Sequence, residues 1–371
     1  MRICVDCTPF LVRSAGVKTY LYYLVKSLRA TAEGREVFCF PFLDQPGSLR
    51  HDASTRGRWG SLARAAFATR LNGPWNPISH WATRGADLFH ASNLVRARPR
   101  QIPLTTTVHD LTAFRLPALH TAQTIAADQA FFSKVVSRAR QVIAVSNNTK
   151  RDLIEELGLP EARISVIYPG VRDEYFHGDP SSGPEIRAKH GLDRPYILFA
   201  GTLEPRKNLG RLVDAYGGMK ASLREEFELV LVGMPGWLDA PSRARLLQGA
   251  EGVRCLGYVS EEEMPAITAG ATLFAYPSLY EGFGFPVAEA MAAGVPVLTA
   301  DAGSLPEVAG DAGVYVDPLS VTEIRTAMER LLTSPQERRA MSERGRLQAR
   351  KFSWTECARQ TWAVFEEAAE G

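Results

Sequence analysis

The chain has 371 residues, 45% hydrophobic and 23% charged, with a formal net charge of +2. That composition is ordinary for soluble globular protein, and at roughly 100–200 residues per domain the length suggests two domains. No run approaches the roughly 18–20 apolar residues needed to span a bilayer, and Asp6 interrupts the apolar stretch at the amino terminus, so a secretory leader is not expected and a cytoplasmic location is.

The first predicted element is a strand, Arg2–Asp6. The five cysteines are odd in number and scattered, and the Cys4/Cys7 pair is offset by three along this strand, so the two point to opposite faces and read as buried free thiols. A helix follows from about Val17 to Arg29, with Val17, Tyr20, Leu21, Leu24, Val25 and Leu28 at helical spacing. Strand 36–40 leads into an irregular basic region near 44–84. Between 50 and 100 stand nine arginines against Asp52 and Asp87, with Trp59, Trp75 and Trp81 among them. Such a mixture suits an anionic membrane surface or lipid-linked acceptor, and equally a solvated loop over core tryptophans. Nucleic acid would attract the same charge, but no nucleic-acid motif accompanies it.

Strands at 87–90 and 104–108, a helix near 121–137, strand 141–145, helix 149–157 and strand 164–167 complete the first half. The section 173–195, rich in Gly, Pro, Ser and Asp, reads as a linker. The second half alternates more cleanly, with strands at 196–200, 227–232, 253–256, 271–276, 295–299 and 314–316 and helices between them, for example 208–219 and 261–268. After about 322 the chain reads as helical to its end. Strands alternating with helices imply an α/β architecture with parallel sheets and right-handed crossovers, here two Rossmann-like domains facing across a cleft.

The most informative segment is 276–294. An apolar strand ends at Tyr276, a loop carries Glu281, Gly282 and Gly284, and Pro286 sits where a helix would start, since it needs no N–H there. The helix runs on to Gly294, a plausible cap, with Glu289 expected in its first turn. A glycine loop ahead of a helix aims backbone N–H groups and a positive dipole end at an anion, while Glu281 and Glu289 supply acceptors for hydroxyls. Acceptors beside anion-binding donors suit a sugar nucleotide. A second strand end, Gly201, is followed by Thr202, Leu203, Glu204, Pro205, Arg206, Lys207 and Asn208. Two adjacent cations at the carboxyl edge of a strand are well placed to neutralise a diphosphate.

With these segments the chain resembles the retaining, nucleotide-sugar-dependent glycosyltransferases of the GT-B fold, in family four. Glu281 and Glu289, with seven residues between them, resemble that family's paired-glutamate motif. Gly201–Asn208 is similar to its phosphate-binding segment, with Thr202 standing where many members carry Arg, so the cationic duty falls on Arg206 and Lys207. Ser14–Tyr20, with Gly16, resembles its first glycine loop, and Val108-His109-Asp110-Leu111 its histidine strand end. Ala144–Asn147, Ile167–Val171 and Phe352–Trp354 resemble its remaining signatures. The resemblance implies domains at 1–178 and 179–353, with the last helix, 354–371, crossing back onto the first domain.

It further implies hexosyl transfer from a nucleotide-diphosphate sugar, GDP-mannose ahead of UDP- or dTDP-sugars, to a sugar or lipid-linked acceptor. No bound metal or cofactor is implied, and no D-x-D occurs in the chain. His109, Glu281, Arg206 and Lys207 take the catalytic roles, while Gly16, Gly282, Phe283, Gly284, Phe285, Val287 and Glu289 bind the donor. His109 would touch sugar hydroxyls and need not be a base, because the leaving phosphate can take the acceptor's proton. A sugar-nucleotide epimerase or a non-catalytic partner subunit on the same fold is the alternative.

Overall fold

A computed structural model describes residues 1–11, 16–40, 83–94, 102–177, 182–234, 236 and 252–370. The chain divides into two compact units, Met1–Gly170 with Ser353–Gly371, and Val171–Phe352.

The first unit holds β1 (Arg2–Asp6), β2 (Glu36–Phe40), β3 (Leu88–Ala91), β4 (Leu104–Val108), β5 (Gln141–Ala144) and β6 (Ile164–Val166). They form one parallel sheet in the order β2-β1-β3-β4-β5-β6. Strands covered on both faces read as continuous apolar runs, which is why Ile3, Cys4 and Val5 are all buried. β4 departs from that pattern with three buried threonines, and hydrogen bonds account for them. Thr106 Oγ1 donates to the Ala91 carbonyl at 2.8 Å. The ring of buried His90 lies 2.9 Å from Thr105 Oγ1 through Nδ1 and 3.1 Å from Thr107 Oγ1 through Nε2.

Burial pushes the His90 imidazole down from 6.5 to about 3. The folded state therefore refuses a proton that the unfolded chain accepts below about pH 6.5. Stability should be full above that value and fall on acidification towards pH 3, by up to about 1.4 kcal/mol per pH unit for this group. Urea unfolding at pH 7 and pH 5 should show the loss, and His90→Gln should flatten it. An unchanged slope in the variant would remove His90 as the cause.

The last helix, Trp354–Glu370, belongs to the first unit. Its buried residues Trp354, Ala358, Trp362 and Phe365 recur at three and four, the stripe of an amphipathic helix. Trp362 Nε1 donates to Leu28 O at 3.3 Å on the helix Gly16–Ala30, and Glu366 pairs with Arg35 at 2.7 Å.

The second unit holds β7 (Tyr196–Ala200), β8 (Glu228–Val232), β9 (Val253–Gly257), β10 (Leu273–Tyr276), β11 (Val297–Ala300) and β12 (Gly313–Val316). These are also parallel, in the order β12-β11-β10-β7-β8-β9. The chain runs outward from β7 through β8 and β9, then returns to lay β10 on the other side of β7. The order reverses between β7 and β10, and in such sheets the crevice beyond the carboxyl ends at that point takes ligands.

The structure differs from the sequence reading at two places. The unit boundary lies at Gly170/Val171, ahead of the expected residue 178, because the short helix Asp173–Phe176 packs on the helix Phe285–Ala292 of the second unit. The expected linker 173–195 therefore contains two helices, Asp173–Phe176 and Ser182–Lys189. The carboxy-terminal stretch is helical as read, in three helices, Val321–Thr333, Pro335–Ala349 and Trp354–Glu370, with the first break at Ser334, where the following proline disfavours helical backbone.

Cys4, Cys7, Cys39 and Cys357 are buried, Cys255 is half-buried, and all five are free thiols. No helix among the described residues is long and apolar enough to cross a membrane. Of the nine arginines in 50–100, only Arg84 falls among the described residues, so the basic region lies outside them, as do Trp59, Trp75 and Trp81.

Candidate active site

The loops after β7 and β10 meet at the switch point. A short turn of 3-10 helix, Pro205–Lys207, follows β7, and Asn208 then adopts left-handed backbone with φ 60°. Asparagine tolerates that conformation better than most residues. Its side-chain amide donates to the Pro277 carbonyl at 3.0 Å and to the Pro318 carbonyl at 2.6 Å, tying this loop to the end of β10. Leu279 N donates to Arg206 O at 2.8 Å, a second tie.

Between the loops sits a buried charge cluster centred on Glu281. Its Oε1 accepts from Lys207 Nζ at 2.6 Å, from Ser278 Oγ at 2.6 Å and from Tyr276 OH at 3.1 Å. Its Oε2 lies 2.8 Å from Arg206 Nη1. Arg206 also pairs with buried Glu204 at 2.6 Å and donates to Tyr280 O at 2.6 Å. Lys207 Nζ further donates to Tyr276 OH. Burial alone would raise the Glu281 carboxyl, but the charges of Arg206 and then Lys207 overcome it and hold the group down at about 2. Burial, then the neighbouring Arg206, lowers the Lys207 ammonium.

The structure thus gives both cations carboxylate partners, which sequence spacing had not shown. Arg206 and Glu281 lie 75 residues apart, and only the fold makes them neighbours. Tyr276, Ser278 and Ser304 also escaped the sequence reading as site residues, and Asn208 entered it only as the end of the phosphate-binding segment. Their polar groups inside otherwise apolar or loop segments were the available signal.

The glycine loop is held from behind. Ser304 Oγ lies 2.9 Å from both Glu281 O and Phe283 O, which share its single hydroxyl proton. Gly303, at φ 58°, leaves room for this: a Cβ there would stand 2.8 Å from Glu281 O. Gly284, at φ 96°, turns the chain into the helix Phe285–Ala292, and left-handed backbone there favours glycine. The Phe283 ring is buried against Phe285 and Phe352, with centroids 5.2 Å apart in each case. Val287 is fully buried on the core face of the helix. The side chains of Phe283 and Val287 thus pack within the second unit.

Glu289 falls in the second turn of the helix, one turn later than expected, because the helix begins at Phe285. Its Oε1 lies 3.7 Å from Arg172 Nε, and Tyr175 hydrogen-bonds it. Burial raises its carboxyl to about 7, against the opposing pull of Arg172 and Tyr175.

In the first unit, His109 follows β4 half-buried, its ring 4.8 Å edge-on from Tyr20. Burial lowers the imidazole to about 4, so it is neutral at pH 7. Gly16 opens the helix Gly16–Ala30, with nothing within 4 Å of where a Cβ would stand. Ser14 and Ala15 of the first glycine loop lie outside the described residues.

Two family descriptions match this chain: "Glycosyl transferases group 1" over residues 183–348 and "Glycosyltransferase Family 4" over residues 14–175. It is 32% identical to the O-antigen chain mannosyltransferase B of Escherichia coli, across 97% of this chain and 98% of that protein. Among solved structures it is similar to a sucrose-phosphate synthase from Thermosynechococcus elongatus, with TM-score 0.75, 20% identity and coverage of 99% and 98% of the two chains. It is also similar to Anabaena HepE in complex with UDP-glucose, with TM-score 0.71, 19% identity and coverage of 99% and 100%. The expected fold class is thereby met, and the chain belongs to the group 1, family 4 glycosyltransferases of the GT-B fold and is a glycosyltransferase enzyme.

Proposed function

We propose that the enzyme transfers a hexosyl group from a nucleotide-diphosphate sugar to a sugar or lipid-linked acceptor, with retention of anomeric configuration and without a metal ion. The observation that carries this is the Arg206–Lys207–Glu281 cluster at the switch point of the second sheet. Fixed cations in a poorly solvated site stabilise charge as it develops on a leaving diphosphate. The anomeric carbon–phosphate oxygen bond breaks, the acceptor oxygen bonds to that carbon, and the acceptor's proton passes to the leaving phosphate. A neutral His109 suits this route, since it hydrogen-bonds sugar hydroxyls without competing for the proton. Glu281 Oε2 has Arg206 as its partner among the described residues, which leaves a lone pair for a sugar hydroxyl. GDP-mannose is the favoured donor, a reading supported by the mannosyltransferase at 32% identity, with UDP- and dTDP-sugars next.

Thermal shift with GDP, UDP and dTDP tests the donor class, and no response to any of them would sink the reading. Glu289→Ala should weaken the nucleoside diphosphate by roughly ten- to a hundredfold, the worth of a hydrogen bond to a charged group. Unchanged affinity would remove Glu289 from the ribose. Transfer should also survive EDTA, because Arg206 and Lys207 carry the charge of a metal; complete loss restored by Mg²⁺ or Mn²⁺ would reverse that part of the proposal.

A further inference from the structure

Glu289 is enclosed by a segment that no donor-binding motif includes. Arg172, the second residue of the second unit, is buried, with Nε 3.7 Å from Glu289 Oε1. Its guanidinium is itself held by two other residues, Tyr175 and Glu261. Nη2 donates to Tyr175 OH at 2.9 Å, Nη1 donates to Glu261 O at 3.2 Å, and Nη1 stands 3.9 Å from Glu261 Oε2. The guanidinium carbon also lies 4.7 Å from the centre of the Tyr175 ring. Tyr175 is buried and bonds Glu289 in turn.

We infer that Arg172 and Tyr175 are positioning residues for Glu289: the segment that opens the second unit sets the orientation and charge of the carboxylate that receives the nucleotide's ribose. This rests on the ribose assignment made above for Glu289. Of the charged and titratable groups on the surrounding elements, Arg346 and Tyr276 are engaged elsewhere. Arg346, on the helix Pro335–Ala349, reaches the carbonyls of Ala292 and Ala293 at the far end of the Glu289 helix. Tyr276 at the end of β10 is bonded to Lys207 and Glu281, and Glu307 stands on the helix Leu305–Ala309. Arg172 and Tyr175 thus favour the ionised form, and Glu261 opposes it. With the carboxyl poised at about 7, removing any one of these three groups should move its titration in a direction that can be stated in advance.

The test is isothermal titration across the neutral pH range on the full chain. The probes are whichever of GDP, UDP and dTDP binds tightest, and inorganic pyrophosphate, which lacks the ribose. Nucleotide affinity of the unsubstituted enzyme should climb with pH through about 7, and Glu289→Gln should lose the ribose-dependent part of that climb. Arg172→Gln and Tyr175→Phe should shift the midpoint upward by about one unit, weakening nucleotide at neutral pH by roughly three- to tenfold. Glu261→Gln should shift it downward. Pyrophosphate should keep the pH dependence it has with the unsubstituted enzyme in every variant. Equal weakening of both probes with a fixed midpoint would mean a merely structural role and overturn the inference. Glu289→Gln binding nucleotide like the unsubstituted enzyme would instead overturn the ribose assignment beneath it. Tyr175→Phe removes one oxygen only, so the test stands even if Arg172→Gln fails to fold.

Discussion

Glu281→Ala should cost about 3–5 kcal/mol of stability in the second unit, the usual penalty for removing one partner from a buried ion pair. The reason is what stays behind. The Arg206 guanidinium cannot shed its proton, and both it and Lys207 are only about a tenth exposed. Lys207 can respond by deprotonating, since burial already lowers its ammonium, but it then no longer carries the charge needed at the phosphate. Activity should therefore fall with stability. Glu281→Gln, which keeps the shape and an acceptor oxygen, should unfold less readily while remaining slow. The acid dependence has a definite sign. The Glu281 carboxyl drops from 4.5 in the unfolded chain to about 2 in the fold, so its contribution is complete above about pH 4.5 and disappears as pH falls through 2. Chemical unfolding of the alanine variant checks the magnitude, and stability equal to the unsubstituted enzyme would show that the cluster holds nothing together.

Lys207→Ala should lower turnover by roughly a hundred- to a thousandfold, as does loss of one preorganised donor to developing charge in other enzymes. Donor affinity should change far less. Charge on the diphosphate grows as the glycosidic bond breaks, so an ammonium fixed beside it interacts more strongly with the transition state than with the bound donor. The ammonium is held by Glu281 at 2.6 Å and by the Tyr276 hydroxyl, which is the kind of rigid setting this effect requires. Saturation kinetics separates the two parameters. Reduced affinity with intact turnover at saturating donor would make Lys207 a binding residue only. A thermal unfolding measurement on the same variant accounts for the partner lost by Glu281.

What could be read from the sequence was whatever depends on near neighbours. The strand Tyr196–Ala200 lies where its apolar run predicts, and Pro286 stands in the first turn of its helix. The adjacency of Arg206 and Lys207 at the end of a strand marked one wall of the site. Contacts across long stretches of chain were not legible. Glu281 had no visible partner because Arg206 and Lys207 precede it by more than seventy residues. Arg172 gave no signal, since a lone arginine just ahead of a segment read as linker has a solvated surface as its ordinary setting. How the side chains of Phe283 and Val287 pack was not legible for a related reason: proximity to a ligand-binding backbone does not tell which way a side chain turns. Helix Phe285–Ala292 turns Val287 into the core and leaves Glu289 beside Arg172.

The return of the last helix has a consequence for how the protein is made. Trp362 and Phe365 are part of the first unit's core, at 2% and 0% exposure. A ribosome releases them only after the entire second unit has been synthesised. Domains generally complete themselves in order from the amino terminus, but here the amino-terminal unit lacks part of its core until the whole of Val171–Phe352 has been made. The second unit, contiguous from Val171 to Phe352, has no such wait. Its synthesis is finished first, and the unit begun earliest is the one completed last.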